Sequence, residues 1–176
     1  MRPIFLLTIL VLLSSCSSNL KPFTQRVYND FNWTDSEIES IQFYISEDIR
    51  LWRDSGGEAS TIKNGKVRVV DGREIEEVII KKGTPGVVVF SPKENRFAVS
   101  FNDDDEAYLM FGPNEKANGR YVLLAKEWKN RRGKVTYNGV VYNTDVNSAY
   151  SALLFDIKAA RKRNYNSTVV SGRRVD

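Results

Sequence analysis

The chain has 176 residues, of which 41% are hydrophobic and 27% charged, a composition that suits one globular domain of ordinary type. Its net charge of +4 is a mild excess and does not indicate a nucleic-acid-binding protein. It has no histidine and a single cysteine, Cys16, which excludes an internal disulfide, a Cys/His zinc site and any nucleophile that needs a histidine base.

The first residues have the pattern of an export signal. Arg2 supplies a positive charge, and residues 4–13 form an apolar run of ten residues. At about 1.5 Å per helical residue, this run is too short to cross a hydrocarbon layer of about 30 Å. It has the length of the hydrophobic region of a signal peptide, and the small residues Ser14 and Ser15 follow it. The sequence therefore predicts a signal peptide at residues 1–15.

Residues 13–16, Leu-Ser-Ser-Cys, resemble a bacterial lipobox. The resemblance implies that Cys16 receives a diacylglyceryl group, that a signal peptidase cleaves before it, and that its new amine is acylated. Two or three acyl chains hold a protein stably on a membrane, whereas one holds it only marginally. Ser17 is neither the aspartate of inner-membrane retention nor part of an acidic surface-export cluster. The resemblance therefore implies the periplasmic face of the outer membrane. The alternative is a transmembrane anchor or an ordinary signal peptide with a chance cysteine.

The segment that follows the signal divides into a leading part and a domain. Residues 16–32 are expected to hold the lipidated cysteine, a polar tether that extends to about residue 23, and a short helix at 24–31. Residues 33–176 are expected to form a single β-rich domain.

The clearest local signal lies at the start of that domain. Thr34 and Glu37 have the spacing of a capping box, in which each residue accepts a backbone hydrogen bond from the other. Trp33 and Ile38 are placed to form the hydrophobic staple around it. The pattern predicts a brief helix that begins at Asp35.

Beyond this helix the apolar period changes to two. Ile41, Phe43 and Ile45 point to one face of a strand, and residues 49–53 continue as a second strand. Tight-turn dipeptides at Asn64-Gly65 and Asp71-Gly72 delimit the next strands. These strands are predicted at 58–63, 66–70 and 73–82.

Turn-rich segments separate further strands along the chain. They are predicted at 87–90, 96–101, 107–111, 120–125, and in a hairpin of 134–137 with 140–143 around Asn138-Gly139. Residues 148–160 fit either a helix or a strand at 152–157 that pairs with 167–170 through a turn at 161–164. The polar run at that turn favours the strand. The spacing predicts a mainly β fold, a small antiparallel β-barrel or sandwich of short strands with a short N-terminal helix.

The mature chain also resembles envelope lipoproteins of Bacteroidota. The resemblance is carried by residues 41–46 (Ile-Gln-Phe-Tyr-Ile-Ser), 49–51 (Ile-Arg-Leu) and 139–142 (Gly-Val-Val-Tyr), and it would cover most of residues 33–175. It implies a lineage and a location in the cell envelope. It implies no activity and no catalytic residue.

Two acidic groups are candidates for chemistry. Residues 103–106, Asp-Asp-Asp-Glu, offer carboxylates for a hard cation but lack the spaced ligands and central glycine of a calcium loop, so we interpret them as a solvated turn. Glu74, Glu76 and Glu77 with Asp71 include enough carboxylates for glycoside hydrolysis. Because Glu74 and Glu76 alternate with Ile75, we interpret them as the solvent face of a strand. No catalytic residue, metal or cofactor is predicted.

Two basic groups stand out as a candidate patch for an anionic partner. The first surrounds Trp128 and the second lies near the C-terminus. The patch consists of Lys126, Lys129, Arg131, Arg132, Lys158, Arg161, Lys162 and Arg163. Clustered positive charge attracts anionic partners, such as lipid headgroups, lipopolysaccharide or an acidic protein surface. The alternative is that these side chains provide solubility and protect exposed strand edges.

The aromatic residues divide into a predicted core and a candidate platform. The predicted core comprises Phe43, Phe90, Phe97, Phe101 and Phe111. The residues that could include a platform for a glycan or peptide are Tyr44, Trp52, Tyr108, Tyr121, Tyr137 and Tyr142, although cross-strand packing explains most of them equally well.

The sequence thus favours a lipid-anchored envelope protein with a non-enzymatic binding or scaffolding role and no nucleic-acid partner. Its partners would be the membrane, through lipid on Cys16, and an envelope protein, lipid headgroup or glycan. One alternative is a barrel that holds a lipid or glycan in a cavity of several hundred Å³. Another is a carboxylate-dependent glycan hydrolase, which needs two facing acids in a cleft.

Overall fold

The computed structural model describes residues 19–54, 66–70 and 73–163. Over these residues the protein is mainly β, as predicted, and is built from two antiparallel sheets. The sheets are not closed into a barrel, so the sandwich is the architecture observed. Within the same residues, no helix combines the length and apolar character that a membrane span requires.

Strands are numbered in chain order. Across the described residues the first sheet has seven strands, in the spatial order β1 (Leu20–Pro22), β13 (Leu153–Asp156), β2 (Phe43–Ile45), β6 (Pro85–Lys93), β7 (Arg96–Ser100), β8 (Tyr108–Asn114) and β9 (Arg120–Leu123). Over the same part of the chain the second sheet has six, in the order β10 (Lys126–Lys129), β11 (Arg132–Tyr137), β12 (Val140–Asp145), β3 (Ile49–Asp54), β5 (Arg73–Ile80) and β4 (Lys66–Val70).

Short helices complete the fold. They are α1 (Gln25–Phe31), α2 (Asp35–Glu39), α3 (Val146–Ala149), α4 (Ile157–Arg163) and a 3₁₀ turn (Glu115–Ala117). The capping box before α2 is confirmed, because Glu37 Oε2 accepts from Thr34 N at 2.8 Å and Thr34 Oγ1 accepts from Glu37 N at 3.4 Å. The hydrogen bond from the Thr34 backbone holds the pKa of Glu37 below its ordinary value.

The centre of the core is Phe23, which the sequence places at the end of a polar tether. Its side chain is fully buried, with ring centroids of Tyr121 at 4.9 Å, Phe43 at 5.1 Å and Phe155 at 5.4 Å. The tether is therefore shorter than predicted, because Leu20–Pro22 pairs as β1 with β13. Pro22 is compatible with this strand because β1 lies at the edge of its sheet, where a missing N–H is tolerated.

Buried hydroxyl groups join the two sheets beside α3. Ser148 Oγ accepts a hydrogen bond from Arg50 N at 3.0 Å, and the Ser151 hydroxyl donates to Glu47 O at 2.7 Å. Both serines are almost fully buried. These bonds tie the connection between β12 and β13 to the start of β3 and to the connection that precedes it, so the end of α3 has a defined position.

Several strand predictions are confirmed. Ile41, Phe43 and Ile45 are all buried, and strands occur at 66–70 and from residue 73. At the turn between β11 and β12, Asn138 has φ 49° and Gly139 has φ 71°, as a type I′ hairpin requires. The predicted strand at 58–63 and the dipeptides at 64–65 and 71–72 lie outside the described residues.

The C-terminal prediction is partly wrong. The strand at 152–157 is observed as Leu153–Asp156, but it pairs with β1 and β2. The turn expected to begin at Arg161 is instead helical, because Asp156 caps α4 by accepting from the backbone of Lys158 at 2.8 Å and Ala159 at 3.2 Å. The predicted partner strand at 167–170 lies outside the described residues.

The predicted aromatic core also needs one correction. Phe43, Phe97 and Phe111 are buried and Phe101 is partly buried, but Phe90 is 39% exposed. The pairing of β6 with β7 shifts register around Phe90, which turns that side chain outward. Its ring packs edge-on against Tyr108 instead.

Candidate functional site: a basic hairpin beside an aromatic groove

The first basic group lies on the hairpin of β10 and β11. The two strands are joined by Asn130 and Arg131, which both adopt positive φ, at 50° and 63°. This is the backbone of a type I′ turn, formed here without the glycine that such turns favour. Residues other than glycine, asparagine and aspartate seldom adopt this conformation, so Arg131 is held there by the surrounding hairpin.

A bulge shapes the same hairpin. Lys126 pairs with Lys134 and Lys129 pairs with Arg132, which leaves one extra residue in β10. Glu127 takes up the bulge with φ 51°, and its carboxylate lies 2.6 Å from Lys134 Nζ. The ammonium group holds the pKa of Glu127 below its ordinary value. Backbone strain of this kind concentrates at functional sites, which makes the hairpin a candidate.

Trp128 is the aromatic residue that this bulge presents. Its side chain is 46% exposed, although its position is restricted by Gly133 on the neighbouring strand. A Cβ atom at Gly133 would lie 2.9 Å from Cζ2 of Trp128 and 2.9 Å from Cβ of Ala125. The indole therefore packs directly against Gly133, which restricts its movement on that side.

The indole forms one wall of a groove between the two sheets, which we call the Trp128 groove. The groove has a volume of about 620 Å³, within the range of small-molecule sites. Tyr150, which ends α3 and is 48% exposed, also lines it. Its other walls include Arg96, Pro113, Lys116, Leu124, Val146 and Ala149.

A second, more polar hollow lies along the hairpin itself. It has a volume of about 410 Å³. It is lined by Glu127, Lys129, Asn130, Arg132, Lys134 and Asn143. Among these lining residues the cations outnumber the single carboxylate, so this surface favours an anionic partner.

The structure divides the predicted basic patch in two. Lys126, Lys129, Arg131 and Arg132 are exposed on the hairpin, in the six-stranded sheet. The remaining members, Lys158, Arg161, Lys162 and Arg163, belong to α4, which follows a strand of the other sheet. Lys158 and Arg161 are exposed, and the Arg161 guanidinium lies 5.9 Å from the centroid of the Phe31 ring.

The acidic candidates on β5 differ in their burial. The interpretation of Glu76 as a solvent-face residue is wrong, because its side chain points into the sandwich and is 4% exposed. It accepts from Arg53 Nε at 2.6 Å and from the Tyr142 hydroxyl at 2.5 Å. Glu74 is exposed, as predicted, and Asp71 lies outside the described residues.

The acidic run at 103–106 forms a turn that is held by hydrogen bonds to the side chains of the preceding residues Ser100 and Asn102. Asn102 Oδ1 accepts from Asp104 N at 3.0 Å, and the buried Ser100 hydroxyl donates to Asp104 O at 3.0 Å. Among the residues that the structure describes, no group of acidic side chains could hold a metal ion. Asp103, Asp105 and Glu106 are exposed, which agrees with the interpretation of the run as a solvated turn.

The predicted tyrosine platform is not assembled as one surface. Tyr121, Tyr137 and Tyr142 are buried, and packing explains them. The exposed aromatic pair in the groove is instead Trp128 and Tyr150. The sequence does not predict Tyr150 as a site residue. It lies in the C-terminal segment, whose pattern fits either a helix or a strand, and no local pattern marks its side chain as exposed.

Comparison with known proteins identifies no relative of this chain: no family model, curated protein or solved structure matches it.

Proposed function

We propose that this protein is a lipid-anchored component of the bacterial cell envelope that binds an acidic glycan without transforming it. The anchor is Cys16, and its support is the Leu-Ser-Ser-Cys motif placed directly after a ten-residue apolar run. The proposed location is the outer membrane, facing the periplasm. Two or three acyl chains on one cysteine are enough for stable attachment.

The anchor is tested by metabolic labelling with an alkyne analogue of palmitate. We expect the wild-type protein to incorporate label and to remain in the membrane fraction. A Cys16→Ser variant should incorporate none and should accumulate with its signal peptide uncut. The anchor is disproved if the wild-type protein takes up no label, or if the serine variant takes up as much.

The observation that carries the binding function is the exposed indole of Trp128. Core packing does not require an exposed tryptophan on a strand whose other residues, Lys126, Glu127 and Lys129, are all exposed. The indole is nevertheless restricted on one side by its contact with Gly133. Fixed aromatic side chains lose little conformational freedom on binding, which is why they dominate the energetics of many interfaces.

The ligand class follows from what surrounds that indole. A pyranose ring has an apolar C–H face that packs on a flat aromatic ring, and Trp128 and Tyr150 supply such rings. Arg96 and Lys116 line the same groove, and Lys129 lines the polar hollow on the hairpin. Sugars that carry carboxylate or phosphate groups meet both requirements, because cations bind the acidic groups while the rings stack.

The described groove gives no support to the hydrolase alternative. Glycoside hydrolysis needs two carboxyl groups about 5–9.5 Å apart on either side of the scissile bond. Among the groove-lining residues that the structure describes, Glu115 is the one carboxylate. The buried Glu76 is engaged with Arg53 and Tyr142. The alternative of a lipid- or glycan-binding barrel expected a closed barrel, whereas the observed sheets are not closed.

Calorimetric titration of the mature protein tests the glycan assignment. The probes are an oligogalacturonate, which is acidic, and a malto-oligosaccharide of equal length, which is neutral. We expect binding of the acidic probe, and a loss of about tenfold in affinity in Trp128→Ala and Tyr150→Ala. Phe90→Ala, which removes a similarly exposed ring elsewhere, should bind as the wild type does. Equal affinity in all three variants would refute the groove as the site.

A further inference from the structure

The second basic group lies beside the end of the chain that leads to the proposed anchor. Strand β1 pairs with β13 so that Leu20 faces Asp156. Helix α4 begins at the next residue, Ile157. The first residues of the folded domain and the basic helix are therefore neighbours, although about 135 residues separate them in sequence.

The distance from Cys16 to this region is limited by the chain itself. Cys16 precedes Leu20 by four residues, and an extended chain spans at most about 3.3–3.6 Å per residue. Whatever its conformation, this segment cannot exceed about 14 Å. If Cys16 is lipidated, as proposed above, Leu20 and the start of α4 must stay close to the headgroups of the membrane that holds the lipid.

The surface around that point is positively charged. Lys21 is exposed on β1, and Lys158 and Arg161 are exposed on α4, whereas Ala160 faces the core. These three cations outnumber the carboxylate of Asp156, which accepts hydrogen bonds from the backbone of α4. Basic residues near an anionic leaflet are attracted over about one Debye length, roughly 8–10 Å.

We infer that the face formed by β1 and α4 docks on anionic lipid headgroups of the leaflet that holds Cys16. This inference rests on the proposed anchor. The contact gives the protein a second attachment and a fixed orientation, because the lipid alone constrains only the position of the N-terminus. The basic hairpin of β10 and β11 belongs to the other sheet and stays available for its own ligand.

Vesicle binding by the mature chain with Cys16→Ser tests the contact without the lipid. The vesicles are phosphatidylethanolamine with or without about 30% phosphatidylglycerol. We expect preference for the anionic vesicles, and a loss of about tenfold in Lys158→Glu/Arg161→Glu. The matched reversal on the hairpin, Lys126→Glu/Lys129→Glu, should change the partition less than about twofold. Thermal unfolding confirms that both variants are folded.

The orientation is tested on the lipidated protein in the same anionic vesicles. A dye attached at Ala159→Cys on α4 should be quenched by a headgroup-linked acceptor, and a dye at Val141→Cys on β12 should be quenched far less. Both positions are exposed. Equal quenching at both positions, or hairpin reversal that weakens vesicle binding as much as α4 reversal, overturns the inference. Palmitate labelling tests the lipidation of Cys16 separately. An error in the proposed anchor can therefore be distinguished from an error in the proposed docking face.

Discussion

The hydroxyl group of Tyr142 donates a 2.5 Å hydrogen bond to the buried carboxylate of Glu76. Arg53 approaches the other oxygen of the same carboxylate at 2.6 Å, and its guanidinium lies 5.6 Å from the centre of the Tyr142 ring. The three residues come from β12, β5 and β3, which are neighbours at the middle of the six-stranded sheet. This cluster pairs the buried charge of Glu76 and links three strands by side chains as well as by backbone bonds.

Glu76→Ala should strongly destabilise the domain. The substitution removes the partner of Arg53 and of the Tyr142 hydroxyl, and breaking a partly buried ion pair in this way costs about 3 kcal/mol. Glu74→Ala, at the exposed end of the same strand, should cost less than about 1 kcal/mol. Urea unfolding followed by circular dichroism measures both. Similar losses in the two variants would show that the carboxylate at residue 76 has no special role.

The same cluster predicts instability in alkali. Burial first, and then the hydrogen bond to Glu76, raise the pKa of Tyr142 from 10.0 to about 12. The folded state therefore holds this proton more tightly than the unfolded state, so the stabilisation is complete below pH 10 and is lost as the pH rises through about 12.

Urea midpoints measured between about pH 9 and about pH 11.5 test this expectation. The wild-type midpoint should fall across this range, and Tyr142→Phe should start lower and fall less steeply. Burial also raises the pKa of Tyr137, so some dependence should remain in the variant. If wild type and Tyr142→Phe have the same slope, the proton of Tyr142 is not coupled to folding.

How far the sequence predicts this fold depends on the sequence distance of each contact. The capping box of α2 is correctly predicted because Thr34 and Glu37 form hydrogen bonds with each other within one helical turn. The hairpin around Asn138 is also correctly predicted, because its turn depends on two adjacent residues. The prediction for Phe23 is wrong because the residues that bury it come together only when β1 pairs with β13. No sequence pattern near Pro22 indicates a strand partner more than 100 residues away.

The site shows the same limit. Alternation around Ile75 correctly places Glu74 and Glu76 on one face of β5 but does not show that this face is buried at Glu76. That choice depends on Arg53 and Tyr142, which are 23 and 66 residues from Glu76. The basic residues near Trp128 are visible in the sequence, but the bulge at Glu127 and the groove wall at Tyr150 require the assembled sheets.

Gly133→Ala should release Trp128 from its fixed position. The added methyl group would lie within 3 Å of both the indole and Ala125, so the indole must move. We expect a loss of about 1–3 kcal/mol in stability, as for other overpacked sites. We also expect greater quenching of tryptophan fluorescence by acrylamide. In a Trp128→Phe background the same substitution should leave the quenching unchanged, because the atoms nearest to the added methyl group belong to residue 128 and Ala125 and not to Trp33 or Trp52. An identical change in both backgrounds would place its origin elsewhere.

Arg131→Gly should stabilise the fold while it weakens binding of the acidic oligosaccharide. Arg131 occupies the left-handed region at φ 63°, which costs an ordinary residue about 1 kcal/mol relative to glycine, so the substitution should raise the melting temperature. It also removes one exposed cation of the hairpin, so affinity for oligogalacturonate should fall, most clearly at low salt. The matched control is Arg132→Gly, which removes the same charge from a regular strand position and should lower the melting temperature instead. If residue 131 contributed only to the stability of the hairpin, glycine would be the more favourable residue there. Opposite signs of the two temperature shifts, together with weaker binding in both variants, would therefore show that the strained arginine serves recognition.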